Sequence, residues 1–382
     1  MSSSEYTSDD ATSSFEGVRG YGRKGGFHAV CIGDRLNGAW EVRQKLGFGR
    51  FSTTWAAASD GGREVAIKVN RSDVDWWKDE VAMLGELRNE PCVLQAEASF
   101  ELRGPNGVHG CLVTERMGCP LSVLHARCKS LPAWVRHGVT RDVLRGLASI
   151  HAHGIVHADI KPDNVLLRRW VSDLLVGTVP PPRVYVSKKN RKRARQPAAQ
   201  PAAARDVPPP RGACVEDDQT DQVDIHGGFC VVADFGNAER VGAYPPNPGS
   251  IQARGYRSPE SVLFLHHTEK ADIFAAGVVL YELASSNVLV DLGGDDAKAA
   301  STTTEAHIGA LGAALGPFPE WMVRAAPCFA ECMRSSCASV GSLRGGSPLV
   351  RRMLALDPYA RPTASEALGE LALGESSPMR TD

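Results

Sequence analysis

The stretch His157-Ala158-Asp159-Ile160-Lys161-Pro162-Asp163-Asn164 constrains this chain more than any other. It sets a carboxylate, an ammonium two residues on and a carboxamide three beyond that on a short loop. The apolar Val165-Leu166-Leu167 follows, as a strand would. An aspartate so placed can receive a hydroxyl proton, and an asparagine at that distance can hold a metal ion. A plain surface loop closed by a proline has the same letters, so the rest of the chain must discriminate.

At 382 residues the chain suits two domains or one large two-lobed one. A formal net charge of −1 supplies no global attraction to nucleic acid or an anionic membrane, so direct binding to either is not expected. The 10 cysteines are scattered without a C-x-x-C, which predicts a reducing, intracellular setting rather than a disulfide framework. Cys328, Cys332 and Cys337 have helical spacing and no nearby histidine set, which fits a helix face better than zinc. Residues 1–20 are rich in Ser, Asp and Thr, with no apolar core for a signal peptide, and are expected to be disordered. The most apolar run, Ala271 to Leu283, contains Asp272 and Glu282 and is too short to span a membrane. It reads as a buried helix.

From Trp40 the residues alternate like a strand up to Leu46, and the glycine-bearing Gly47-Phe48-Gly49-Arg50-Phe51-Ser52 follows. A second strand runs on through Thr53-Thr54-Trp55-Ala56-Ala57. Strand, glycines and strand exclude both a dinucleotide-binding fingerprint, which needs a helix there, and a Walker A loop, which needs Gly-Lys-Ser/Thr. Val65-Ala66-Ile67-Lys68-Val69 forms a further strand. Its lysine is either a snorkelling edge residue or a phosphate contact held by a helix glutamate. Trp76 to Leu87 supplies that helix, with Glu80 favoured over Glu86 because it leads the apolar run.

Residues 95–104 and 109–115 read as a strand pair about Gly104-Pro105-Asn106-Gly107. The second ends at Thr114-Glu115-Arg116-Met117-Gly118, a hinge whose backbone groups could meet an adenine edge. Helices are expected over Leu121–Cys128 and Ala133–His153. Residues 168–228, with Pro180-Pro181-Pro182, the basic run Lys188 to Arg195 and the acidic Glu216-Asp217-Asp218, have the composition of a solvated spacer. The basic run suits an import signal, a nucleic-acid patch or a bare charged loop, and its letters do not choose. Beyond it come Asp234-Phe235-Gly236 at the end of an apolar strand, then Tyr256-Arg257-Ser258-Pro259-Glu260, and finally Arg361, a candidate partner for Glu260.

These parts stand in the order that phosphoryl transfer requires. Leu46, Gly47, Gly49, Ser52, Thr54, Ala66, Lys68, Glu115 and Met117 are the candidate nucleotide-binding positions. Asp234 and Asn164 are the candidate magnesium ligands. Asp159, with Lys161, Lys68 and Glu80, is the candidate catalytic set, and ATP and Mg²⁺ are the expected cofactors. The fold expected is α+β: a two-lobed eukaryotic protein-kinase fold, with a small antiparallel-sheet lobe carrying one main helix and a larger, mostly helical lobe. The divisions are a tail over 1–20, an extension over 21–39, the small lobe over 40–117 and the large lobe over 118–375. The spacer over 168–228 interrupts the large lobe, and 376–382 form a second tail.

Several segments resemble the serine/arginine-rich-protein-specific kinases. They are Gly25-Gly26-Phe27-His28, Ile32 to Gly38, Leu46 to Trp55, Gly107 to Val113, His157 to Leu167, Ala233 to Ala238, Ile251 to Ser258 and Glu305-Ala306-His307-Ile308. The likeness covers roughly residues 21–375 and includes a spacer between catalytic loop and D-F-G. It implies a monomeric kinase that phosphorylates serines in Arg/Ser-rich segments of splicing-related proteins and is found in cytoplasm and nucleus. By the same resemblance, Thr54 stands where a valine packs on adenine, and Ala253 where a threonine braces the catalytic aspartate and lysine. Ala158 replaces an arginine that grips an activation-loop phosphate, and between Asn237 and Gln252 the hydroxyl residues are Tyr244 and Ser250, so activity without loop phosphorylation is expected. Two other readings stay open: a kinase of the same group with a different substrate, for which Asp291, Asp295, Asp296 and Glu305 are the candidate acidic docking positions, and a nucleotide-binding pseudokinase scaffold.

Overall fold

Alternation between buried and exposed side chains builds residues 35–115 into a sheet, seen here in a computed structural model that describes residues 25–128, 131–176, 228–242, 252–290, 292, 304–336 and 346–375. The strands are β1 (Arg35–Leu36), β2 (Trp40–Phe48), β3 (Ser52–Ala58) and β4 (Glu64–Asn70), then β5 (Ala96–Gly104) and β6 (Gly107–Glu115) after helix α1 (Trp77–Glu86). They pair antiparallel in the order β1-β2-β3-β4-β6-β5. One face buries Val42, Trp55, Val65, Ile67, Val69, Cys111 and Val113 as a core. The opposite face carries the residues one step out of that phase. In register, Thr54 lies beside Lys68, Ala56 beside Ala66, and Ala66 beside Thr114. A strand has period two, so these side chains share the face turned away from that core.

The large lobe comprises α2 (Leu121–Arg127), α3 (Ala133–Ala152), β7 (Ile155–Val156), β8 (Val165–Leu167), α4 (Arg169–Leu175), β9 (Cys230–Val232), β10 (Glu239–Arg240), α5 (Pro259–Val262), α6 (Lys270–Ser285), α7 (Thr304–Leu315), α8 (Glu320–Ala325), α9 (Ala330–Ser335), α10 (Pro348–Met353) and α11 (Ala364–Glu375). Helix α6 is the apolar run read as buried, and every residue from Ala271 to Leu283 is buried. A helix apolar all round can be stable only inside a domain or a membrane. No helix among the described residues is long and apolar enough to cross a membrane. Two small antiparallel pairs, β7 with β10 and β8 with β9, lie where the 157–164 loop begins and ends.

The expected spacer boundary at 168 needs correction. Arg168 donates its amide to the Phe229 carbonyl at 2.8 Å, and α4 follows directly with Val171 and Ser172 buried. Trp170 Nε1 donates to the Gly228 carbonyl at 3.1 Å, and its ring meets Phe229 edge-on at 5.3 Å. The excursion thus leaves after α4 and returns at Gly228. The proline-rich composition downstream hides a short helix that contributes apolar residues to the core. The residues 1–20, the basic run Lys188 to Arg195, Tyr244, Ser250, Cys337, Asp291, Asp295, Asp296 and the tail over 376–382 lie outside the described residues. Among the described residues no three or more His, Cys, Asp or Glu side chains form a group that could hold a metal ion.

Candidate active site

Lys68 projects from β4 on the face opposite the small-lobe core and meets two carboxylates. Its Nζ donates to Glu80 Oε1 and Oε2 at 2.8 and 3.0 Å and to Asp234 Oδ1 at 2.7 Å. Burial alone would lower the Lys68 ammonium, but Asp234 and then Glu80 outweigh it and hold it above the usual lysine range. The Lys68 charge in turn holds the Asp234 carboxyl down to about 2. Burial pushes the Glu80 carboxyl up, and the attraction of Lys68 opposes that push. Helix α1 reaches this position because Met83 and Leu84 bury against the main core and leave Glu80 facing the cleft.

The 157–164 loop is held from below by Asp272, in the first turn of α6. Asp272 Oδ2 accepts the His157 amide at 2.7 Å, and Oδ1 accepts the Ala158 amide at 2.9 Å. These two bonds hold Ala158 at φ 59, a left-handed conformation that costs a non-glycine residue strain. Asp159 N–H donates to His157 Nδ1 at 3.2 Å, so His157 carries its proton on Nε2 and donates it to the Ala233 carbonyl at 3.0 Å. The His157 ring also packs edge-on against Phe235 at 4.9 Å. The His-x-Asp loop and the Asp-Phe-Gly segment are therefore locked to each other.

Asp159 Oδ2 accepts from Lys161 Nζ at 2.6 Å and from Asn164 Nδ2 at 3.0 Å, and the same amide donates to the Asp159 carbonyl at 2.8 Å. With Nδ2 committed to donors' work, Asn164 keeps its amide oxygen as an acceptor. Val165 pairs with Val232, and Ala233 N–H donates to the Asn164 carbonyl at 2.9 Å, which sets Asn164 beside Asp234 across the two strands. Asp234 itself has φ 66, so it turns sharply out of the strand toward Lys68. A carboxylate kept ionised and a neutral amide oxygen form an all-oxygen donor set, the chemistry that suits Mg²⁺.

Gly47, Gly49 and Ser52 lie at the β2–β3 turn, closed by Gly49 N–H to the Ser52 carbonyl at 2.8 Å. Leu46 stands at an irregularity in β2, between Lys45 and Gly47, at the root of that turn. At the hinge, Arg168 ties the two lobes: it donates to Glu115 Oε2 at 2.7 Å. The Glu115 carbonyl accepts from Thr114 Oγ1 at 3.3 Å, and the buried Met117 side chain packs with Leu94, Val231 and Ala233. Gly118 is required by close approach, since a Cβ there would lie 2.5 Å from the Ser172 side chain.

Below the cleft, Gln252 N–H donates to the Ala158 carbonyl at 2.9 Å, which brings the segment carrying Ala253 against the catalytic loop. The buried Gln252 side chain donates to the Ala271 carbonyl at 3.1 Å and accepts from Ser258 N–H at 3.0 Å. Ala253 offers no hydroxyl to Asp159 or Lys161. Arg361 and Glu260, both buried, form a two-pronged pair at 2.7 and 2.8 Å. Asp272 and Gln252 position the 157–164 loop although neither belongs to a catalytic motif. The signal for Asp272 was there, a lone aspartate opening an otherwise apolar helix.

The family described as the protein kinase domain matches residues 40–174 and 223–371, and the break between them falls within the expected spacer. Among curated proteins, a serine/threonine-protein kinase SRPK of Physarum polycephalum is 29% identical over 296 residues, covering 72% of this chain and 66% of that protein. SRSF protein kinase 3 of Homo sapiens is 35% identical over 189 residues, covering 43% of this chain and 33% of that protein. A serine/threonine protein kinase of Aspergillus fumigatus is 28% identical over 381 residues, covering 90% of this chain and 87% of that protein. The chain thus matches between a third and two thirds of the length of the first two relatives. With two lobes, a shared cleft and a family match that spans both, the chain belongs to the protein kinase domain family, and within it is similar to the SRSF protein kinases.

Proposed function

We propose that this protein is an ATP- and Mg²⁺-dependent serine/threonine protein kinase whose substrates are Arg/Ser-rich protein segments. The observation that supports the reading best is the convergence of Lys68, Glu80 and Asp234 at 2.7–3.0 Å in the same cleft as the Asp159–Asn164 pair. Such a reaction needs phosphates positioned, charge compensated and one hydroxyl oriented, with little covalent work from the protein.

In this reading the β2–β3 turn covers the phosphates and Lys68 donates to them. The hinge backbone at Glu115 and Met117 meets the adenine edge, with Leu46, Thr54 and Ala66 around the ring. Asp234 and Asn164 would hold Mg²⁺, which when bound neutralises charge on the phosphate oxygens. Asp159 orients the acceptor hydroxyl and takes its proton. Lys161, now paired with Asp159 Oδ2, compensates the charge that develops as the hydroxyl attacks.

The substrate class rests on the family segments and on the relatives named as SRSF protein kinases. The test is transfer of radiolabelled phosphate from ATP to an Arg/Ser-repeat peptide and to a generic basic peptide, with Asp159→Ala as control. Preferential labelling of the repeat peptide is expected. Equal labelling overturns the substrate class, and nucleotide binding without transfer to either overturns the enzyme reading. Ala253 favours that last outcome more than any other residue, because it removes a hydrogen-bonding side chain next to the catalytic loop.

A further inference from the structure

Residues Gly25 to His28 form a strap across the small lobe, outside its regular strands, and Arg71 joins that strap to the phosphate-covering turn. Arg71 follows the last residue of β4. Its amide donates to the Phe51 carbonyl at 2.8 Å, and Nη1 reaches the Arg50 carbonyl at 3.4 Å. On the other side, Nε donates to the Gly25 carbonyl at 3.1 Å, and the guanidinium lies 5.5 Å from the Phe27 ring centre. Asp73 fixes the plane of the fork by accepting from Nε at 3.0 Å and from Nη2 at 2.7 Å.

The strap is seated by its own bonds. Gly25 N–H donates to Ser72 Oγ at 3.0 Å, and Ser72 N–H donates to the Gly26 carbonyl at 3.1 Å. Ser72 Oγ in turn donates to the Asn106 carbonyl at 2.6 Å, and Asn106 Nδ2 donates to the Phe27 carbonyl. Gly25 has φ 92, and a Cβ there would meet the Asp73 side chain at 3.1 Å, so the strap closes on Asp73 at a glycine.

The turn itself has little inner support. A Cβ at Gly47 or Gly49 would meet nothing within 4 Å, and Phe51 at its tip is held against Trp76 edge-on at 5.3 Å. We propose that Arg71 is a positioning residue for the nucleotide: it fixes the height of the 47–52 turn over the phosphates, using the strap as its anchor. This rests on the kinase reading above. A planar fork with several directed donors can serve the Gly25 and Arg50 carbonyls together, whereas a lysine ammonium on a flexible stem cannot hold both in that geometry. Charge alone therefore does not substitute.

The experiment uses full-length protein with Arg71→Ala, Arg71→Lys and Asn106→Ala, the last loosening the strap without touching the turn. We expect KM for ATP to rise about tenfold in both Arg71 variants and about threefold in Asn106→Ala, with kcat within about twofold of the parent, as for an interaction made equally in ground and transition states. Hydrogen exchange of the 47–52 amides should quicken in the same order, with or without nucleotide. A thermal-midpoint loss with KM and exchange unchanged would make Arg71 merely structural and overturns the proposal, as does restoration of parental KM by the lysine. If the parent transfers no phosphate, the kinase reading has failed, and the exchange of the 47–52 amides still decides the coupling: faster supports it, unchanged overturns it.

Discussion

Lys68 and Asp234, 166 residues apart in sequence, meet at 2.7 Å, and that contact joins the small-lobe sheet to the segment leaving β9. Asp234 is held down to about 2, so its stabilising charge is fully present above the ordinary 3.8 and is lost as pH falls toward about 2. Lys68→Met removes the largest cause of that depression. The Asp234 carboxyl should then titrate higher, pushed up by a burial that the ammonium no longer outweighs, read by carboxyl-carbon NMR. Phosphate transfer should fall by about 10²–10³, the usual loss when one preorganised donor is removed.

Asp272 is fully buried and holds two consecutive amides of the catalytic loop. Asp272→Ala leaves both amides without an acceptor, at about 1–3 kcal/mol each, and releases Ala158 from its left-handed backbone. Denaturant unfolding should show the loss, and kcat should drop more than KM for ATP changes, because Asp159 moves while the proposed nucleotide positions on the small lobe remain.

The Arg361–Glu260 pair is buried on both sides and shares no atom with the cleft. Arg361→Ala strands Glu260 in the core and should cost about 3–5 kcal/mol. Replacing both by apolar residues of similar volume should recover only part of it, because Arg361 also donates to the Ala355, Lys270 and Leu356 carbonyls, which lose that donor. A double-mutant cycle by chemical denaturation checks this, and a double variant no better than the single would refute the pairing argument.

His28 and His109 lie edge to face with ring centres 4.8 Å apart. Burial pushes both below 6.5, and His109 lowers His28 further. Asp34 opposes this at His28, while the Asn70 carbonyl and then Asp73 oppose it at His109. A base lowered in the folded state is tolerated neutral, so strap docking is strongest above 6.5 and weakens as pH falls below it. Proteolysis within residues 25–31 should speed by about tenfold between roughly pH 7.5 and 5.5, and His28→Phe should flatten that dependence.

Much of the candidate site's geometry is legible because the groups involved are local in sequence. Asp159, Lys161 and Asn164 sit within one loop, and their spacing alone brings the amide and ammonium to one carboxylate. Lys68 could be singled out as a charge within an apolar strand, and Glu80 as the carboxylate leading an apolar helix. Asp272 and Gln252 were harder. Each acts through backbone groups of a distant segment, and a backbone amide has no sequence signature. Helix α4 has no local signature for a related reason: its few apolar residues gain meaning only against Gly118 and Phe229, which the chain order places far from it.

The sequence by itself determined the class of molecule, the two-lobed division and the order of the reactive groups, because strand and helix periodicity and motif spacing are properties of neighbouring residues. The tertiary structure decided which charges pair, that α4 belongs to the core, and that the Gly25–His28 strap reaches the 47–52 turn through Arg71. Those outcomes depend on which faces bury together, and burial is a relation between segments that no single stretch of chain encodes.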